Sequence, residues 1–121
     1  MVSAMCNSAQ EMISLDGYWC TGKERFVMRM ERIADDRIRQ VWINRAGELR
    51  ELRFMFRMEA TQLFLVHASG WESKYVFEGP QSFRLVRRGR GAEVHAPNIL
   101  YARCDESLPE VQELRQRLPR S

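Results

Sequence analysis

The sequence predicts an all-β protein: a single domain folded as an antiparallel up-and-down meander of seven or eight strands that closes, or nearly closes, into a barrel. Its 121 residues suit one domain with a real core. From Tyr18 to Arg103 apolar and polar residues alternate with period 2, as in strands with one face on a core. Turn residues interrupt this pattern at short intervals, so neighbouring strands form hairpins, and closure into a barrel hides the sheet edges. A sandwich or half-barrel is the alternative.

The strands, predicted within residues 17–104, follow from this alternation. The first begins at Tyr18, and residues 62–69 are apolar on both faces, which predicts a more buried strand. Three other strands each have one apolar face: Phe26, Met28 and Met30 in one, Leu52, Phe54, Phe56 and Met58 in the next, and Trp71, Ser73, Tyr75 and Phe77 in the third. Residues 37–44, 82–88 and 99–104 complete the meander, and the predicted turns are 35–36, 44–47, 60–61, 69–70 and 78–80.

Both ends of the chain are predicted to be helical. The capping-box pattern Ser-x-x-Glu occurs near each end and predicts a short helix over 8–14 and a longer one over 107–118. In the second helix Val111, Leu114 and Leu118 fall on one face. We expect that face to pack against the sheet or to plug one end of the barrel.

Composition excludes several protein classes. With 45% hydrophobic and 29% charged residues, the chain resembles an ordinary folded protein. No apolar run approaches the roughly 20 residues that span a bilayer, and residues 1–15 lack the features of a signal peptide, so we predict a cytoplasmic protein. The three cysteines, Cys6, Cys20 and Cys104, are odd in number and have no metal-binding spacing. They are predicted to be reduced thiols, not a disulfide scaffold or a zinc site.

The start of the first strand carries a short motif. Gly17 and Trp19 form Gly-x-Trp there, and Arg103 lies in the last strand. This layout resembles the lipocalins and related calycin barrels. The resemblance implies that Trp19 closes the barrel floor and that Arg103 packs over its indole, a contact worth about 0.5–2 kcal/mol. It also implies the function that we expect first, the binding of a small apolar or amphipathic molecule inside the barrel.

A set of aromatic and methionine side chains is predicted to face the barrel interior. Methionine adapts to varied ligands, and apolar pockets with a few polar groups are the usual sites for small molecules. An eight-stranded barrel can also be filled by its own side chains, which is the alternative. The predicted ligand-binding residues are Phe26, Met28, Met30, Phe54, Phe56, Met58, Trp71, Tyr75 and Phe77.

Polar groups inside the barrel would decide its chemistry. His67, Tyr101 or an inward arginine would orient a bound ligand. In a second hypothesis the chain is a cofactor-independent isomerase or cyclase, with His67, Tyr75 or Tyr101 as the candidate catalytic residues that move a proton. The alternative for His67 is a structural, hydrogen-bonded histidine. No triad, paired-carboxylate, metal or cofactor motif is recognisable, so we predict neither a cofactor nor a metal site.

Arginine supplies 17 of the 19 basic residues, and it favours planar contacts with phosphate and carboxylate. A third hypothesis is therefore a module that binds protein or nucleic acid through an arginine-rich outer face. The net charge of +3 is modest, so nucleic acid is an unfavoured partner, and residues 87–91 are predicted to form a solvated hairpin tip. The sequence does not decide between a monomer and a homodimer. The arginines concerned are Arg84, Arg87, Arg88 and Arg90 in one tract and Arg25, Arg29, Arg53 and Arg57 in a stripe that Glu31, Glu51 and Glu59 interrupt.

Overall fold

The computed structural model describes residues 14–21 and 26–118. Nine antiparallel strands and one helix make up this part of the chain. The strands are β1 (Gly17–Thr21), β2 (Val27–Ala34), β3 (Arg37–Ile43), β4 (Leu49–Glu59), β5 (Gln62–His67), β6 (Glu72–Phe77), β7 (Ser82–Arg90), β8 (Glu93–His95) and β9 (Ile99–Arg103). The helix, α1, spans Pro109–Arg117.

The sheet closes on itself, which confirms the predicted barrel. Each strand from β1 to β7 pairs with the next, and β9 pairs with both β7 and β1. These eight strands form the ring. The short strand β8, which the sequence did not indicate, pairs only with the end of β7. Backbone closure leaves no free edge among the ring strands, as a meander of this length requires.

Alternation along the strands separates two apolar clusters. The inner one holds the side chains that face the barrel axis, and several of them, including Trp19, Met30 and Phe83, are fully buried. One outward side chain explains why β5 is apolar on both faces. Phe64 is buried on the outside because the guanidinium of Arg57 lies 4.2 Å from its ring centre, with Lys74 on the same ring.

Helix α1 lies outside the barrel and packs against the sheet, the first of the two predicted placements. Its buried residues Val111 and Leu114 join Tyr18, Val27 and Val41 in the outer apolar cluster, which covers β1, β2 and β3. The predicted capping box is wrong. Leu108 is the residue at the N-cap position and makes no side-chain cap.

The proline explains why the second helix needs no such cap. Pro109 is the first residue of α1 and has no N–H to satisfy, and the hydroxyl of Ser107 donates to Asp105 instead. The other predicted helix, over 8–14, lies outside the described residues except for Ser14, which is not helical.

A disulfide joins Cys20 and Cys104, with a Cα–Cα distance of 5.2 Å. The prediction that these cysteines are reduced thiols is therefore wrong, and Cys6 lies outside the described residues. The pair is separated by 84 positions. Only the pairing of β1 with β9 brings the two residues together, so their spacing in the sequence carries no signal of the bond.

The arginine-rich segment differs from its prediction as a solvated hairpin tip. Residues Arg87 to Arg90 are the last part of strand β7 and pair with β6 on one side and with β8 on the other. Only the turn at Gly91 is a tip. Gly89 permits this arrangement, since a Cβ there would collide with the backbone of Glu93 and Val94.

Candidate functional site

The barrel is hollow at one end. A cavity of about 1010 Å³ opens between the ends of the strands, on the opposite side from Trp19. Its volume matches the upper range of small-molecule sites, about 300–1000 Å³. A packed floor closes the other end, where Trp19 makes edge contacts with Phe77 and Phe83 at ring-centre distances of 6.4 and 4.5 Å.

Five of the nine side chains predicted to bind a ligand lie on the cavity wall: Phe26, Met28, Phe54, Trp71 and Tyr75. The other four belong to the packed interior: Met30, Phe56, Met58 and Phe77. Trp71 is 38% exposed, as is Leu52, so both present apolar surface at the mouth. Ile99 and Trp42 add apolar wall that the sequence analysis did not single out.

The polar part of the cavity surrounds the hydroxyl of Tyr75. Gln40, Ser73 and Arg88 lie around it and line the cavity. Gln40 is only 6% exposed, and its amide Nε2 makes no hydrogen bond of ordinary geometry within the described residues. A buried, unsatisfied N–H donor is costly, because its desolvation is not offset by a partner.

A β-bulge places Arg88 on the inner face. Tyr75 pairs with Leu85, yet the preceding residue Lys74 pairs with Arg87, so β7 carries one extra residue at Val86. Strict alternation from Leu85 would turn residue 87 inward. The extra residue turns Arg87 outward and Arg88 inward, beside Ser73.

Burial governs the ionisation of the two cavity tyrosines. It raises the pKa of Tyr75 above its usual value, although the positive charge of Arg88 opposes the shift. Burial also raises the pKa of Tyr101 to about 12, and nearby Tyr75 adds to this effect. Both phenols therefore keep their protons at neutral pH, which disfavours either of them as a general base.

Alkaline pH should destabilise the protein through Tyr101. Below its ordinary pKa of 10.0 the folded and unfolded chains both hold the phenolic proton, so this group adds no pH dependence. Between pH 10 and about 12 only the unfolded chain releases the proton, so stability falls as pH rises, by a total on the order of 2 kcal/mol from this group. We expect Tyr101→Phe to lose less stability over that interval in urea unfolding than the unaltered protein. Equal losses in the two proteins would contradict the assignment.

His67 lies on the cavity wall in a defined tautomer. The backbone N–H of Ser69 donates to its Nδ1 at 3.1 Å, and the Ser69 hydroxyl is 2.7 Å from the same atom. Since a backbone N–H can only donate, Nδ1 is the acceptor and the proton of the neutral ring is on Nε2. The ring also makes an edge contact with Phe54. His95, in contrast, is exposed on β8 and is not part of the cavity wall.

The barrel floor contains the arrangement that the resemblance implied. The guanidinium of Arg103 lies 4.1 Å from the ring centre of Trp19. It donates to the carbonyl oxygens of Asp16 at 2.6 Å and Ser14 at 2.5 Å, and the indole Nε1 donates to Leu15 at 3.0 Å. These contacts bind the segment before β1 across the closed end of the barrel.

The outer arginine stripe is largely neutralised. Arg53 pairs with Glu51 at 2.8 Å and Arg57 with Glu59 at 3.1 Å, while Arg29 lies 3.8 Å from Glu31. Arg25, the fourth member, lies outside the described residues. The paired arginines leave little excess positive charge on this face to attract phosphates.

Sequence reasoning missed several cavity residues, and the reasons differ. Gln40 and Trp42 share the inward face of β3 with Ile38, so the alternation was a usable signal for both. Ser73 lies on the same face as Trp71 and Tyr75, and a small polar side chain at that position does not by itself indicate a cavity wall. Arg88 offered no signal, because the bulge that turns it inward is a property of the strand pairing.

No group of three or more histidine, cysteine, aspartate or glutamate side chains among the described residues is placed to hold a metal ion. None of the helices in the described ranges is long and apolar enough to cross a membrane. Comparisons with protein-family models, with curated proteins and with solved structures find no significant match.

Proposed function

We propose that this protein binds a small apolar or amphipathic molecule in the barrel cavity. The observation that carries the proposal is the cavity itself, about 1010 Å³ in volume, whose apolar wall includes Phe26, Met28, Phe54 and Trp71. A barrel that leaves apolar surface accessible at one end lacks packing contacts there. Occupation by an apolar ligand would recover it.

The barrel floor supports a likeness to the lipocalins within this proposal. The Gly17-x-Trp19 opening and the stack of Arg103 on the indole occur in a closed eight-stranded ring. In such a barrel the packed floor stabilises the fold, and the open mouth provides the binding site.

The isomerase or cyclase alternative uses the same cavity and has weaker support. The raised pKa values of Tyr75 and Tyr101 keep both phenols protonated, which leaves His67 as the candidate base among the predicted catalytic residues. Binding requires no such group. We therefore place simple binding ahead of catalysis.

The disulfide supports a proposal about the compartment. Disulfides persist in oxidising compartments and are rare in the cytosol. The bond between Cys20 and Cys104 thus favours an oxidising environment over the cytoplasm predicted from the first residues of the chain.

A neutral apolar dye, N-phenyl-1-naphthylamine, tests the proposed binding. We expect its fluorescence to rise on mixing with the protein and the rise to be reversed by 1-hexadecanol. Saturating hexadecanol, at about 100 times its Kd, should stabilise the folded state by about 2.7 kcal/mol. Ser73→Phe, which projects a ring into the cavity, should abolish the dye signal.

The matched control introduces the same ring on the opposite face of β6, by Glu72→Phe, and should leave the dye signal intact. Both variants are first checked for folding by circular dichroism. A dye signal that survives Ser73→Phe, or that is absent from the unaltered protein, would refute binding in the cavity.

A further inference from the structure

The polar end of the cavity specifies part of the ligand. We propose that the ligand carries a single carboxylate head group, held by the donors of Gln40, Ser73, Tyr75 and Arg88, with its apolar chain against the aromatic wall. This inference rests on the proposed function. It narrows the class of proposed ligand from any apolar or amphipathic molecule to an acid of the fatty-acid type.

The unsatisfied amide of Gln40 is the first support. Gln40 lines the cavity with its amide beside the Tyr75 hydroxyl, yet its buried Nε2 makes no hydrogen bond of ordinary geometry with any described residue. Proteins rarely leave such a donor unpaired, and a ligand oxygen at this position would satisfy it. The unpartnered atom is a donor, so the ligand group that meets it must be an acceptor.

Charge is the second support. Arg88 forms no ion pair with any described residue, in contrast to Arg84, which is paired with Glu78 at 3.0 Å. The part of the cavity wall that the structure describes includes no aspartate or glutamate. The site therefore has one uncompensated positive charge, which a carboxylate balances with one negative charge. A phosphate monoester carries nearly two and would leave an excess.

The remaining groups also donate. Tyr75 keeps its proton because burial raises its pKa, so its hydroxyl can donate to an anion. Ser73 is buried beside it. Donors from β3, β6 and β7 thus converge on one point next to Tyr75, and a guanidinium with hydroxyl and amide donors suits the two oxygens of a carboxylate.

The test compares hexadecanoate with 1-hexadecanol, which has the same chain without the charge, by calorimetric titration at fixed salt. We expect the acid to bind more tightly by roughly 10- to 100-fold, the contribution of hydrogen bonds to a charged group. Arg88→Met should remove most of this difference by weakening the binding of hexadecanoate far more than that of hexadecanol. Arg87→Met is the matched control, because the neighbouring arginine faces outward, and it should change neither affinity.

Gln40→Met gives a second signature, since it removes the unpaired donor while keeping the length of the side chain. We expect the free protein to melt at a higher temperature and hexadecanoate to bind less tightly by roughly 10-fold. A glutamine with a purely structural role would instead lower the melting temperature when replaced.

The outcomes separate the two proposals. If neither hexadecanoate nor hexadecanol binds, the proposed function itself fails. If both bind with equal affinity, or if Arg88→Met leaves the acid unaffected, cavity binding stands and the carboxylate is refuted. If Arg87→Met and Arg88→Met weaken hexadecanoate binding equally, the preference for the acid over the alcohol comes from general surface charge, which also overturns this inference.

Discussion

Replacing Trp19 with alanine is expected to destabilise the protein by about 4–6 kcal/mol, a large share of the 5–15 kcal/mol typical of a domain. Trp19 is completely buried and contacts Phe77 and Phe83 in the floor of the barrel. The substitution leaves a cavity, removes the hydrogen bond to Leu15 and deprives Arg103 of its aromatic partner. Urea unfolding followed by circular dichroism measures the loss.

Trp71→Ala is the matched control for Trp19→Ala. Trp71 is 38% exposed at the cavity mouth, so its removal should cost no more than about 2 kcal/mol while weakening the binding of an apolar ligand. If Trp19→Ala does not fold, Trp19→Phe keeps an aromatic ring and loses the indole N–H, with an expected cost of about 1–2 kcal/mol. Equal urea midpoints for the two alanine variants would contradict the role given to the floor.

Gly17→Ala should be the second most damaging substitution, at about 3–5 kcal/mol. Gly17 has a φ of 142°, a conformation almost confined to glycine, and this strain costs about 1–3 kcal/mol for alanine. A Cβ at this position would also collide with the guanidinium of Arg103. That guanidinium cannot move aside without losing its bonds to Asp16 and Ser14 and its contact with Trp19.

Gly79→Ala measures the backbone strain of alanine at a positive φ without a collision of the new Cβ with a neighbouring side chain. Gly79 has a similar φ of 130°, and nothing lies within 4 Å of a Cβ built there. We expect its replacement to cost only the strain, so the difference between the two variants reports the displacement of Arg103. In Gly17→Ala with Arg103→Ala already present, most of that difference should disappear. A cost for Gly79→Ala equal to that for Gly17→Ala would show that Arg103 plays no part.

Much of the candidate site depends on pairings that alternation cannot report. Period 2 correctly predicted which face of β4 and β6 turns inward, because side-chain direction is set within one strand. It did not separate Phe54 and Tyr75, on the cavity wall, from Met58 and Phe77, in the packed interior. Depth along the barrel axis depends on how far each strand is staggered against its neighbours.

The C-terminal helix shows the same limit on a smaller scale. The apolar spacing of Val111 and Leu114 predicted a helix face that packs, and both residues are buried. The Ser-x-x-Glu pattern before them predicted a cap that is not formed, since Ser107 bonds to Asp105. A four-residue pattern competes with other local hydrogen bonds, whereas burial of an apolar face is favoured by many contacts at once.

The sequence by itself determined the eight strands of the ring, most turns and the antiparallel meander, and it favoured closure, because alternation, turn chemistry and the need to hide sheet edges are local or follow from strand number. Tertiary structure alone decided the disulfide between Cys20 and Cys104, the hollow mouth and the inward turn of Arg88. Each of these depends on the register between strands. A single extra residue at Val86 reverses the faces of the residues that follow it, and the charge of the cavity changes with them.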